Sequence, residues 1–210
     1  MVSEEEGTMA VAIARRVLDR ALDRPYSEDL LTSEFRRKLP PVFSEKRGLF
    51  VTLLTHPGRD LRGCIGFPLP VYPLGEGVAR AAWLAAREDP RFLPVGPEEA
   101  RQILAEVSVL TPLERLRNTN PEEVLGEVVV GRDGLYIARD LDSGLLLPEV
   151  PVEQGWSAEE FLEGVCMKAG LPAGAWKRKG TSLWKFRSEI FIEASPGGPV
   201  RPRSLTPVPG

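Results

Sequence analysis

Apolar residues recur at every fourth position from Met9 through Ile13 and Val17 to Ala21, with Ala10, Ala14 and Leu18 beside them. That spacing predicts an amphipathic helix over residues 9–23 with Thr8 as its N-cap. Leu49–Thr55 is a β-rich run, His56-Pro57-Gly58-Arg59-Asp60 is turn chemistry, and Leu61–Ile65 returns. Residues 49–65 therefore read as a hairpin whose register sets Thr52 opposite Cys64 and Leu54 opposite Arg62. Pro68, Pro70 and Pro73 stiffen the following loop, and Gly75–Glu88 is an alanine-rich helix stopped by Asp89-Pro90.

Pro97-Glu98-Glu99 opens a short helix to about Leu104, and Glu106–Leu110 alternates as a strand. Asn120-Pro121-Glu122-Glu123 starts another brief helix. Glu127–Val130 and Leu135–Arg139 read as strands joined across Gly131-Arg132-Asp133-Gly134, and Asp142-Ser143-Gly144 turns into Leu145–Leu147. Ser157-x-x-Glu160 is a capping box for a helix ending at Ala169, where Gly170 stops it. Leu183–Ala194 reads as a closing strand or hairpin, and the Pro- and Gly-rich residues 195–210 as a disordered tail. Helices and strands mix without regular β-α-β alternation, which predicts an α+β fold with a mixed, largely antiparallel sheet and flanking helices.

Composition narrows the function classes. With 210 residues, 42% hydrophobic and 27% charged, the chain has the make-up of a soluble globular protein. It contains no apolar run long enough to span a bilayer, and its acidic start, Met-Val-Ser-Glu-Glu-Glu, is no secretory signal. Two cysteines are too few for a disulfide framework and fit a reducing cytoplasm. The net charge of −3 argues against a dominant electrostatic grip on nucleic acid, so DNA is not an expected partner. Locally, Lys177-Arg178-Lys179 after Trp176 is basic enough to touch the phosphates of RNA, although such runs commonly form solvated loops. One histidine and two distant cysteines make no metal-ligand array, and no cofactor is expected.

The candidate chemistry gathers at Leu61-Arg62-Gly63-Cys64-Ile65-Gly66. On a strand, Arg62 and Cys64 share a face, and a guanidinium beside a thiol would lower its pKa. Gly63 and Gly66 remove bulk where backbone or ligand could approach. The alternative is a small buried thiol between glycines that serve packing alone. His56 cannot be its base: four residues up the opposite strand is on the order of 13 Å away. Thr52 is the neighbour across the hairpin.

With these segments placed, the chain resembles the AMMECR domain family. The resemblance is carried by the hexapeptide, by Phe50-Val51-Thr52-Leu53 before it and by Pro68 and Tyr72-Pro73-Leu74 after it. Asp89-Pro90-Arg91-Phe92, Ser108-Val109-Leu110, Gly134-Leu135, Leu147-Pro148, Glu153 with Trp156, and Lys168-Ala169-Gly170-Leu171 continue it. It spans residues 9–195, leaving 1–8 as an N-terminal extension and 196–210 as a tail. It implies a main lobe and a smaller lobe, with the hexapeptide near the groove between them, and no settled reaction. Relatives tend to occur with Memo-type proteins and radical-SAM enzymes, which implies a shared modification pathway, with RNA as one candidate target. In an enzyme of this kind Cys64 would be nucleophile or substrate anchor, and Arg62 an anion clamp. Asp89, Arg91 and Glu153 would support them, with Thr52, Gly63, Gly66 and Trp156 lining the substrate. The alternative is a non-catalytic RNA- or protein-binding adaptor.

Overall fold

The computed structural model describes residues 1–20, 22, 25–27, 37–116 and 120–203. Among them are helices α1 (Glu4–Arg20), α2 (Leu74–Arg87), α3 (Pro97–Ala100), α4 (Pro121–Glu127), α5 (Glu149–Gln154) and α6 (Ala158–Lys168). The strands are β1 (Leu49–Thr55), β2 (Leu61–Phe67), β3 (Ile103–Leu110), β4 (Glu114–Arg115), β5 (Gly134–Arg139), β6 (Asp142–Leu146), β7 (Ser182–Phe186), β8 (Ser188–Glu193) and β9 (Val200–Arg203). They form two sheets, ordered β2-β1-β3-β8-β9 and β4-β7-β5-β6. The fold is α+β, and the chain divides into two compact units: Met1–Leu110 with Glu189–Arg203, and Thr111–Ser188.

In the first unit, Leu49, Val51 and Leu53 of β1 alternate onto one face of the sheet with Ala105, Val107 and Val109 of β3. That face is covered by α1 and α2, whose Ala10, Ile13, Ala14, Val17, Val78, Ala81 and Ala85 are fully buried. The opposite face carries Leu54 and Leu104, which cluster with Ile192, and then the polar row described below. A buried ion pair ties α1 to the sheet: Arg15 donates to Glu193 of β8 and to the carbonyls of Ala100 and Ile103. Glu193 also accepts from the Ala105 N–H.

Several boundaries differ from the sequence reading. Helix α1 begins at Glu4, not at Met9, because Ser3 and Glu6 make the reciprocal capping bonds; Thr8 instead bonds the Glu4 carbonyl within the helix. The supposed N-terminal extension is therefore mostly helical, and Val2 is buried; the predicted end of the helix at residue 23 lies outside the described residues. Helix α3 stops at Ala100 because Ile103 already pairs with Thr55 in the sheet. Residues 128–130 are not a strand. The buried Asp133 carboxylate accepts the Val129 N–H and folds residues 129–133 into a local turn, and β5 pairs instead with β6 and β7. β7 and β8 join different sheets. The predicted tail is ordered at Val200–Arg203, which pairs with β8, while 204–210 lie outside the described residues.

In the second unit, α6 follows its capping box at Ser157 and Glu160, and Phe161, Leu162, Val165 and Cys166 pack with Leu135, Ile137, Trp176 and Leu183.

The glycine of the hexapeptide that faces α2 is a packing requirement, since a Cβ at Gly63 would run into the Ala85 carbonyl oxygen. Gly63→Ala should cost about 1–3 kcal/mol in a urea titration. Gly126→Ala in α4, where no described atom lies near the added methyl group, should be neutral or stabilising. Equal effects at both positions would remove this explanation.

Candidate functional site

β2 is the outer strand of its sheet, so half of its backbone polar groups lack a ladder partner. At Cys64 both are supplied by the segment after α2. The Cys64 N–H donates to Asp89 Oδ2 (2.8 Å) and its carbonyl accepts from Arg91 Nη2 (3.2 Å). Arg91 in turn donates to Asp89 through its Nε (3.0 Å), its Nη2 (2.7 Å) and its own backbone N–H (3.1 Å). An Asp-x-Arg segment thus imitates one residue of a neighbouring strand. Asp89 ends α2, and α2 can lie close enough to deliver it only because Gly63 has no side chain.

Since the N–H and C=O of Cys64 point outward, Cys64 and Thr52 form a non-hydrogen-bonded pair across the hairpin, the kind that brings side chains closest. The Thr52 hydroxyl donates to the sulfur at 3.4 Å. The next residue along this row is Glu106 of β3, opposite Thr52, buried and paired with Arg203 of β9 at 2.7 Å. Ser108, opposite Phe50, is buried beside it. Gly66 lies under the Phe50 ring, where a Cβ would collide with it.

Electrostatics oppose a thiolate here. Burial pushes the Cys64 thiol up, and the charges of Asp89 and Glu106 add to that; the Thr52 hydroxyl and the Arg91 charge only partly counter it. The expected depression of its pKa is therefore reversed. Asp89 behaves in the opposite way. Its hydrogen bonds from Arg91, with those from the backbone N–H groups of Cys64 and Arg91, hold its carboxyl well below the usual range despite burial. A carboxylate so held, and already accepting four hydrogen bonds, is a poor proton acceptor.

Arg62 is not the cation beside the sulfur. The strand pairing slips between Leu53 and Leu54, which pairs with Leu61, so Arg62 is the extra residue of a bulge. Its guanidinium turns to Glu99 of α3 and to the Leu93 carbonyl. The Phe92 ring lies between the two arginines, 5.7 Å from Arg62 and 5.4 Å from Arg91. Arg91 takes the place the sequence reading gave to Arg62.

Thr52, Arg62, Gly63, Cys64, Gly66, Asp89 and Arg91 all belong to the first unit, and Glu153 and Trp156 to the second. Glu153 is exposed on α5. Trp156 precedes the N-cap Ser157 and packs over Gly164, one turn beyond the N4 position where a hydrophobic staple would place its partner. His56 is exposed, its backbone N–H on the Gln102 carbonyl. Both cysteines are free, and Cys166 is a core residue. The sequence reading missed Glu106 and Arg203. Glu106 was visible as the one charge in a strand buried along its whole length, whereas Arg203 fell in the supposed tail.

The molecule is thus a two-unit α+β protein in which a half-buried cysteine sits in a strand edge closed by an Asp-Arg pair. The chain belongs to the AMMECR1 family, whose sequence pattern matches residues 11–191. It is 45% identical over 205 residues to protein MJ0810 of Methanocaldococcus jannaschii, covering 98% of each chain. A protein of Thermococcus onnurineus is 47% identical over 207 residues, 97% of this chain and 98% of its own. Among solved structures, the uncharacterized protein PH0010 from Pyrococcus horikoshii superposes with a TM-score of 0.81 at 44% identity, over 97% of this chain and 99% of that one.

Asp89 makes stability depend on acid. Its folded pKa lies below the unfolded value of about 3.9, so its contribution is present above about pH 4 and lost as pH falls toward the folded value. Asp89→Asn should lower stability at pH 7 by about 1–3 kcal/mol and flatten the loss between pH 4 and pH 2, read from denaturant midpoints. Parallel pH profiles for the two proteins would refute the edge-closing role.

Proposed function

We propose that this protein is a non-catalytic binding module, an RNA-handling subunit whose chemistry is supplied by a separate enzyme. One observation carries the reading. The cysteine of the family hexapeptide is held by burial, with the charges of Asp89 and Glu106 adding to it, above the ordinary thiol pKa. Among the described residues its sulfur bonds only the Thr52 hydroxyl, which is no base. The atoms around it are committed to closing a strand edge, an architectural task. Arg91, about half exposed at its side chain, is the group left to meet a partner there. The association of relatives with Memo-type proteins and radical-SAM enzymes suits such a division of labour, and those enzymes are the partner class we assign.

The rival reading, thiol catalysis at Cys64, has one observation in its favour: the sulfur is only partly buried and has Arg91 nearby. The two readings separate in solution. Iodoacetamide labelling of Cys64 against pH should give an apparent pKa above the free-thiol value of about 8.5, and Cys64→Ser should retain short single-stranded RNA as well as the native protein does. RNA retention should fall steeply with salt. A labelling pKa below the free-thiol value, or loss of RNA in Cys64→Ser, would favour the enzyme.

A further inference from the structure

The second unit holds a cavity of about 780 Å³ that shares no residue with the Cys64 row. Its walls are residues 115–116, Asn120, Pro121 and Val124 on and before α4, and the loop 176–181. Among the described residues that line it, four are cationic, Arg115, Lys177, Arg178 and Lys179, and none is acidic. In a chain of net charge −3 this is a local reversal of sign, and a concave wall concentrates such a field.

The pairing of these cations is uneven. Lys177 bonds Glu159 at 2.8 Å and lies over the Trp176 ring. Among the described residues Arg115 reaches only the Ser182 hydroxyl, at 3.4 Å. Arg178 and Lys179 make no side-chain hydrogen bond or ion pair among the described residues. Asn120 spends its acceptor oxygen on the Glu122 N–H, which leaves it a donor.

The loop that carries the cations is anchored at both ends. Trp176 is fully buried and donates its indole N–H to Glu163 (2.8 Å), whose other oxygen accepts from the Gly174 N–H (2.8 Å). Beyond the basic run, the buried Thr181 hydroxyl donates to the Ala175 carbonyl (2.8 Å). Two cations without a partner among the described residues are thus held on an anchored loop, and a third, Arg115, lines the same cavity. Fixed cations lose little entropy on meeting an anion.

Size and lining select the ligand. The volume falls within the range of about 300–1,000 Å³ typical of small-molecule sites and far exceeds that of one inorganic anion. The exposed Pro121 gives it an apolar surface, backed by the buried Leu116 and Val124. An anion with an apolar body matches both.

We propose that this cavity binds a phosphate-bearing nucleotide, with the phosphates on Arg178, Lys179 and Arg115 and the base against Leu116, Pro121 and Val124. The phosphate ester is common to a free nucleoside triphosphate and to a single-stranded RNA. Only the RNA source rests on the function proposed above.

The experiment uses the full chain and three probes: a fluorescent single-stranded oligoribonucleotide, ATP and inorganic tripolyphosphate. Arg178→Gln/Lys179→Gln removes two exposed, unpaired charges. Lys46→Gln/Arg101→Gln, in the first unit, changes the net charge equally. Arg115→Gln tests the third lining cation. We expect the cavity double variant to bind the oligoribonucleotide at least tenfold more weakly, and its salt slope to fall by roughly 1.4 for two lost phosphate contacts. Arg115→Gln should weaken it several-fold, while the control stays within twofold of the native protein. If RNA binds and the cavity and control variants behave alike, the cavity assignment is overturned and the RNA-handling reading survives. If ATP binds through these residues and RNA does not, the cavity stands and the RNA-handling reading falls. Binding of tripolyphosphate as tight as that of ATP would overturn the role given to the apolar wall. No binding of any probe at low salt would overturn both proposals.

Discussion

The constraint on which the hexapeptide region depends is the outer edge of β2. An edge strand must satisfy its outward N–H and C=O groups, and water or another chain will do so if nothing else does. Here one carboxylate and one guanidinium, 25 and 27 residues further along the chain, meet both groups of a single residue, Cys64. The demand propagates backward through the structure. Asp89 must stand at the end of α2, α2 must lie close against the hairpin, and Gly63 must have no side chain for it to do so.

The same arrangement sets the chemistry of the sulfur. A carboxylate that closes the edge places negative charge beside the thiol, and Glu106 adds more from two strands away. Arg91 offsets part of this, but its guanidinium is chiefly occupied by Asp89. A residue placed in this way for backbone satisfaction works against thiolate formation, so architecture and nucleophilic chemistry pull in opposite directions at one site. That conflict is why a motif with cysteine and arginine side by side does not lower the thiol's pKa here.

The second unit solves a different problem. Its half-buried Glu163 accepts from Trp176 and Gly174, and this anchors a basic loop. Arg178 and Lys179 of that loop have no ion-pair partner among the described residues, whereas in the first unit Arg15 is spent on Glu193, Arg203 on Glu106 and Arg62 on Glu99.

Local signals in the sequence were sufficient wherever the physics is local. The pairing of Thr52 with Cys64 follows from a turn of given length between two β-rich runs, and α6 follows from its Ser157–Glu160 box and the glycine after it. Competing local cues misled where another group outvoted them: the exposed Ser3 with its reciprocal Glu6 bond over Thr8 as cap, and the buried Asp133 folding residues 129–133 away from a hairpin. What only the tertiary structure decided is which charge stands beside the sulfur. A one-residue bulge turned Arg62 toward Glu99, and a helix crossing the hairpin brought Asp89 and Arg91 in its place. Neither the slip nor the crossing leaves a mark on neighbouring residues, because both are set by contacts between segments far apart in the chain.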